Sequence, residues 1–280
     1  MRYQELSPAP QLRGHVECFW FLDAEKGALP RDVERIVPDG CTELILHLGE
    51  PFERLTSRGA ERQAPAFLVG QMPHFILLRP PREIETVGVR FRPAGARRFF
   101  RESAARLTGR FVPLDELWDR AAAERLRARL HEAPSRAEQV RILETALLGS
   151  FRARDEDATV ARCAGFILGS GGRASVADVA RSAGLSERSL ERRFQGELGL
   201  TPKAFARIAR LQSVLRSIGR DARPDWADVA AECSYFDQPH LIHDFRALTG
   251  ETPAEFVRNQ GRLSLNFTEP RRLQSLLSGA

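Results

Sequence analysis

The chain has 280 residues, 42% hydrophobic and 28% charged, which suits about two globular domains and excludes a disordered or low-complexity chain. Its net charge of +5 permits a nucleic-acid partner without requiring one. Only Lys26 and Lys203 of the 42 basic residues are lysine; arginine suits forked contacts to phosphates and bases, and a biased genome composition explains the same excess.

Met1 to Glu5 leads into no apolar run, and stretches such as Phe75 to Leu78 are far too short to span a bilayer. Cys18, Cys41, Cys163 and Cys233 form no CxxC pair, so the expectation is a reducing cytoplasm with buried structural thiols and no zinc.

Residues 10 to 92 read as short strands. The runs His15 to Leu22, Thr42 to Leu48, Phe67 to Val69, Phe75 to Leu78 and Glu83 to Phe91 are apolar and punctuated by Gly and Pro. In the last run Glu85, Val87, Val89 and Phe91 share one side, and Thr86, Gly88 and Arg90 the other. The expected architecture is an antiparallel sandwich or barrel.

The period changes after Pro93. Ala94 to Leu107, Leu117 to Leu130 and Arg136 to Leu148 are predicted helices. Leu126 with Leu130, and Leu143 with Leu147, make stripes that either cap the barrel or pair two subunits.

The region from 155 to 260 reads as helical and contains an internal repeat. Val176-Ala177-Asp178-Val179-Ala180 returns as Trp226-Ala227-Asp228-Val229-Ala230. Phe194, Gly199, Thr201-Pro202, Phe205 and Arg207 return as Phe245, Gly250, Thr252-Pro253, Phe256 and Arg258. Each copy has the physics of a helix-turn-helix. In the first, Ser175 caps a helix, Gly184 makes the turn and Ser186 caps the next helix, whose Leu190 and Phe194 point inward. In the second, Asp225 and Asp237 cap, Ser234 to Phe236 make the turn, Pro239 sits in the first turn, and Leu241 and Phe245 point inward.

Fixing the inward residues fixes the outward ones: Arg188, Glu191, Arg192 and Gln195 in the first copy, and Gln238, Pro239, Ile242, His243 and Arg246 in the second. Such faces can enter a major groove, arginine forking onto guanine and Ile242 meeting a thymine methyl. Residues 188 to 220 hold eight basic and two acidic groups, so the first motif and the following helix should carry most phosphate attraction. Asp237 and Asp244 make the second motif acidic, and weaker binding is expected there.

The segment 160 to 260 resembles the DNA-binding domain of AraC/XylS-family transcription regulators. The residues that carry this are Asp178-Val179-Ala180, Leu185-Ser186, Leu190, Arg192 and Phe194, then Asp237-Gln238-Pro239-His240-Leu241, Phe245, Gly250 and Thr252-Pro253. The resemblance implies a long helix, about Pro202 to Ile218, that rigidly joins the motifs, and two recognition helices on one DNA face. It places Arg188, Glu191 and Arg192, and Gln238, Pro239 and His243, at base-reading positions. The chain departs from the family at Ser234-Tyr235, where glycine-phenylalanine is usual, and at His243, where arginine is common; a histidine there makes the second site pH-sensitive.

Pro38-Asp39-Gly40-Cys41-Thr42-Glu43-Leu44 and Val89-Arg90-Phe91-Arg92-Pro93 resemble, more loosely, a cupin-like sensor subgroup of the same family. The expected organisation is α+β: a β-rich, barrel-like sensor over 1–110 with flanking helices, a helical linker or dimerisation region over 111–154, an all-α domain with two helix-turn-helix motifs over 155–260, and a tail over 261–280. The expected protein is a cytoplasmic, non-enzymatic, homodimeric regulator that binds double-stranded DNA and a small effector, with RNA polymerase as a candidate partner, no membrane partner and no cofactor. The rival is a cupin-type metal-dependent enzyme fused to a DNA-binding module. Its candidate ligands are His15, Glu17, Glu43, His47 and His74, which lack a His-x-His pair and read better as ordinary sheet positions.

Overall fold

A computed structural model describes residues 1–25, 32–152, 158–218 and 224–259. Arg220 and the tail with Arg262, Arg271 and Arg272 lie outside the described residues.

The N-terminal half contains β1 (Arg2–Leu6), β2 (Val16–Ala24), β3 (Glu34–Ile36), β4 (Thr42–His47), β5 (Glu53–Thr56), β6 (Gly59–Arg62), β7 (Ala66–Val69), β8 (Ile76–Arg79), β9 (Ile84–Phe91) and β10 (Phe111–Pro113). They form two antiparallel sheets, of order β1-β2-β9-β4-β7-β10 and β3-β8-β5-β6. The two-residue period assigns the faces of the larger sheet. Phe19, Phe21, Leu44, Leu46, Val87, Val89 and Phe91 face one core. Cys18, Trp20 and Leu22 face the smaller sheet, where they meet Ile36 and Leu78. Gly88 is required opposite Trp20: a Cβ there would lie 2.1 Å from the indole.

Helices α1 (Ala104–Leu107), α2 (Leu114–Leu117), α3 (Arg120–Glu132) and α4 (Arg136–Ser150) follow. Asp119 and Ser135 cap α3 and α4 by accepting from Ala122 N and Glu138 N. Leu126, Leu130, Leu143 and Leu147 are buried against the larger sheet, so both leucine stripes are core within one subunit. Phe111–Pro113 pairs with β7 and is therefore a sheet strand rather than the start of a helical linker.

The single helix expected over Ala94 to Leu107 is interrupted. Ala94 takes φ 65°, a 3-10 turn spans Gly95–Arg98, and only Ala104–Leu107 is α-helical. Tertiary packing imposes the break: Phe99 and Phe100 are buried among the core residues, and Gly95 lies so close to the His15 carbonyl that a Cβ would sit 2.1 Å from it.

The C-terminal half is helical: α5 (Ala158–Gly169), α6 (Val176–Ser182), α7 (Glu187–Glu197), α8 (Pro202–Ile218), α9 (Trp226–Glu232), α10 (Gln238–Thr249) and α11 (Pro253–Arg258). One core gathers Val160, Ile167, Val179, Leu190, Phe194 and Phe205; a second gathers Leu211, Val214, Val229, Leu241, Phe245 and Phe256. Helix α8 contributes to both cores and so joins the two motifs.

Candidate nucleic-acid interface

Each motif is built by local chemistry. Ser175 accepts from Asp178 N to start α6, and Ser186 accepts from Ser189 N to start α7. Between them Gly184 takes φ +66°. In the second motif Asp225 accepts from Ala227 N at the start of α9, and Asp237 accepts from His240 N at the start of α10. The turn residue Ser234 takes φ 57°, the left-handed conformation that glycine adopts without strain.

Leu190, Phe194, Leu241 and Phe245 are fully buried, as the spacing requires. The opposite faces are open. Arg188, Glu191, Arg192 and Gln195 are exposed on α7, and Gln238, Pro239, His243 and Arg246 are exposed on α10. Ile242 is half-buried and packs partly against the second core. The Gln195 amide donates to the Gly199 carbonyl at 3.1 Å, so it closes its own helix end. Phe236, in the turn before α10, is 91% exposed, a feature that the outward-face assignment missed. Its neighbour Tyr235, in the same turn, is buried in the second core, so turn position alone does not distinguish the two.

The acidity of the second motif is mostly structural. Asp237 is spent as a cap, and Asp244 is buried, its Oδ1 accepting from Arg207 Nε and Nη2 at 2.6 Å. The Tyr235 hydroxyl lies 3.4 Å from Asp244 Oδ2, and burial raises its pKa. Arg210 sits over the Tyr235 ring, 5.2 Å from its centroid. Two arginines counted toward phosphate attraction, Arg207 and Arg210, therefore have partners inside the domain; Asp244 is buried, whereas Asp237 stays exposed at the start of α10.

A second feature lies between the two sheets. A cavity of about 50 Å³ is lined mainly by apolar side chains, among them Trp20, Ile45, Phe52, Met72, Ile76 and Phe111, with Glu43, His47, Gln63 and Thr86 as polar groups. Glu43 and His47, two turns of the pleat apart on β4, share this face. Each is engaged within the domain. Glu43 Oε1 accepts from Arg90 Nε at 2.8 Å, and Arg90 Nη1 reaches Glu5 Oε1 at 3.3 Å. His47 Nδ1 lies 3.1 Å from Thr86 Oγ1, and its Nε2 3.0 Å from Gln63 Oε1. Burial lowers the His47 pKa to about 4 and keeps the ring neutral.

The remaining metal candidates are dispersed: the His15 ring contacts Phe99 and Phe151, and His74 Nδ1 lies 3.3 Å from the Ala247 carbonyl. Among the described residues, no group of three His, Cys, Asp or Glu is arranged to hold a metal. No disulfide joins the cysteines; Cys18, Cys163 and Cys233 are buried. Among the described residues no helix is long and apolar enough to cross a membrane.

Residues 179–259 match a helix-turn-helix domain family. Residues 4–113 match a domain family described as of unknown function (DUF6597). No curated protein matches the chain. Among solved structures, ToxT from Vibrio cholerae is 10% identical over 92% of this chain and 98% of that chain, with a TM-score of 0.49. A probable AraC family transcriptional regulator from Rhodopseudomonas palustris is 26% identical over 37% of this chain and 97% of that chain, with a TM-score of 0.33. ToxT has also been solved with an unsaturated fatty acid bound; that structure is 10% identical over 85% of this chain and 94% of that chain, with a TM-score of 0.43.

Proposed function

We infer that this chain, a DNA-binding transcription regulator of the AraC type, reads its operator with two recognition helices and responds to a small effector through its N-terminal half. Helix α7 presents Arg188, Glu191, Arg192 and Gln195 to one stretch of major groove. Helix α10 presents Gln238, Pro239, Ile242, His243 and Arg246 to the next. The observation that carries this reading is the repeated motif whose two outer faces remain uncovered while every inward anchor is buried. Arg188 and Arg192 supply forked donors for guanine, and Glu191 an acceptor for cytosine N4. His243 supplies a ring nitrogen where a longer arginine would reach further.

The effector site is the cavity between the sheets. Its walls are mainly apolar, and its carboxylate, Glu43, is paired with Arg90, which also reaches Glu5. A neutral, mainly apolar molecule suits it better than an anion, which would meet Glu43. Drug-sized ligands need roughly 300 Å³ or more, so a molecule of that size must part the two sheets. The cavity's polar side chains satisfy one another, which favours a sensor over a metal enzyme. Homodimers placed on adjacent operator repeats, and contact with RNA polymerase, complete the proposed mode of action in the cytoplasm.

Footprinting of the full chain on its own upstream DNA across a salt series tests the reading. Two protected patches one helical turn apart are expected, with affinity falling steeply as salt rises. Arg192→Ala should relax one base pair by about 1–3 kcal/mol. A variant that discriminates bases as the parent does removes Arg192 from the readout, and absence of any sequence-dependent footprint removes the function.

A further inference from the structure

We propose that the N-terminal domain braces the two recognition helices and fixes their spacing, with Arg35 and Thr108 as positioning residues for operator readout. This deepens the reading above and rests on α7 and α10 facing DNA.

The two recognition helices end alike, at Gly199 with φ +77° and Gly250 with φ +79°. The N-terminal domain seizes both ends. At the first, Thr108 Oγ1 lies 2.8 Å from the Gly199 carbonyl, which also accepts from Gln195 Nε2, and 3.1 Å from the Ala104 carbonyl. The approach is so close that a Cβ on Gly199 would fall 2.1 Å from Thr108 Oγ1 and 2.5 Å from the Ala104 carbonyl. At the second, Arg35 Nη1 donates to the Thr249 carbonyl at 2.6 Å and the Phe75 N–H donates to the Leu248 carbonyl at 3.0 Å. The Arg35 guanidinium also lies 4.3 Å from the Phe75 ring centroid and reaches Glu251 Oε1 at 3.4 Å. The last carbonyls of a helix lack intrahelical donors and carry the negative end of its dipole, so a guanidinium is well matched there.

The connecting helix is held as well. Gln212 Nε2 donates to the Pro38 carbonyl at 2.7 Å, and Gly40 packs against Phe205 and Ile208. Val37 enters the core of the second motif. Helix α8, a rod of about 25 Å, joins the two motif cores, and the N-terminal domain adds contacts at the end of each recognition helix. Through that domain, the C-terminal end of α7 is tied to Thr108 after α1, and that of α10 to Arg35 on β3 and to Phe75.

The same contacts decide between bracing and masking. They fall on the helix ends and on α8, and they leave Arg188, Arg192, Gln238 and His243 exposed. Holding the motifs in this arrangement therefore does not cover the faces that meet DNA.

The test measures affinity of the full chain for its footprinted operator with zero to three base pairs inserted between the two protected patches. The parent should lose about tenfold or more for one or two inserted pairs, since each insertion turns and displaces the second patch. Arg35→Met and Thr108→Val should bind the unaltered operator within a few-fold of the parent while their penalty for insertion falls at least about threefold. Thr108→Ser, which keeps the hydroxyl, should keep the parental profile. Circular dichroism melting checks that each variant is folded. Thr108→Val is nearly isosteric at a half-buried position, so it decides the matter if Arg35→Met unfolds. Folded variants with the parental spacing profile overturn the brace while leaving the DNA-binding reading intact. A parent without two protected patches overturns both.

Discussion

Arg207 and Asp244 tie the helix that joins the two motifs to the second recognition helix, with two of the three guanidinium nitrogens, Nε and Nη2, 2.6 Å from one carboxylate oxygen. Asp244 is buried, whereas Arg207 keeps a third of its side chain in water. The partners are therefore unequal. Arg207→Ala strands a buried carboxylate and should cost about 2–4 kcal/mol. Asp244→Asn keeps an acceptor for an arginine that water can also reach, and should cost about 1–2 kcal/mol. Urea unfolding of the two variants checks the order, and the double variant should cost less than their sum.

Two phenylalanines near the second turn should behave oppositely. Phe245→Ala removes a fully buried ring and should cost about 3–5 kcal/mol, as should Phe194→Ala at the equivalent repeat position. Phe236→Ala should change stability by no more than about 0.5 kcal/mol, because its ring lies in solvent. Chemical denaturation separates the cases.

Glycines with similar φ should also differ. A Cβ added at Gly184 would meet nothing within 4 Å, so Gly184→Ala carries only the left-handed penalty, about 1–2 kcal/mol. At Gly250 a Cβ would lie 2.5 Å from the Phe75 ring and 2.7 Å from Arg35. Gly250→Ala should therefore cost more and loosen the contact between the two halves, read as faster amide exchange at Phe75.

Stability should fall with acid through His47. Its folded-state pKa of about 4 lies below the ordinary value of 6.5 because the ring is buried. The unfolded chain thus binds the proton first, and His47 contributes stability that is present above pH 6.5 and lost as pH falls toward 4. The full effect is on the order of 3 kcal/mol. The parent's urea midpoint should drop over that window more steeply than that of His47→Gln.

The motifs were legible because their instructions are local. Ser175, Ser186, Asp237 and Gly184 act on backbone a few residues away, whereas the bounds of Pro202–Ile218 follow from the family resemblance. The sheet faces were legible where alternation was strict, as in Glu85 to Phe91. The hairpin of Glu53–Thr56 and Gly59–Arg62 was not, because polar, largely uncovered strands carry no apolar period. Nor was the interruption after Ala94, which distant packing at His15 and the core imposes. The candidate interface was readable as two outward faces. The roles of Asp244 and Arg35 were not, since charge in a sequence does not say which partner it meets across the fold.

The hold on Gly199, Thr249 and Leu248 is made through main-chain oxygens. A carbonyl offers the same acceptor whatever side chain stands beside it. The outward residues of α7 and α10 can therefore be exchanged without a matching change in the sheets. The outer faces and the sheets that hold them become separable inheritances, and altering what those faces contact needs new letters on only two helices.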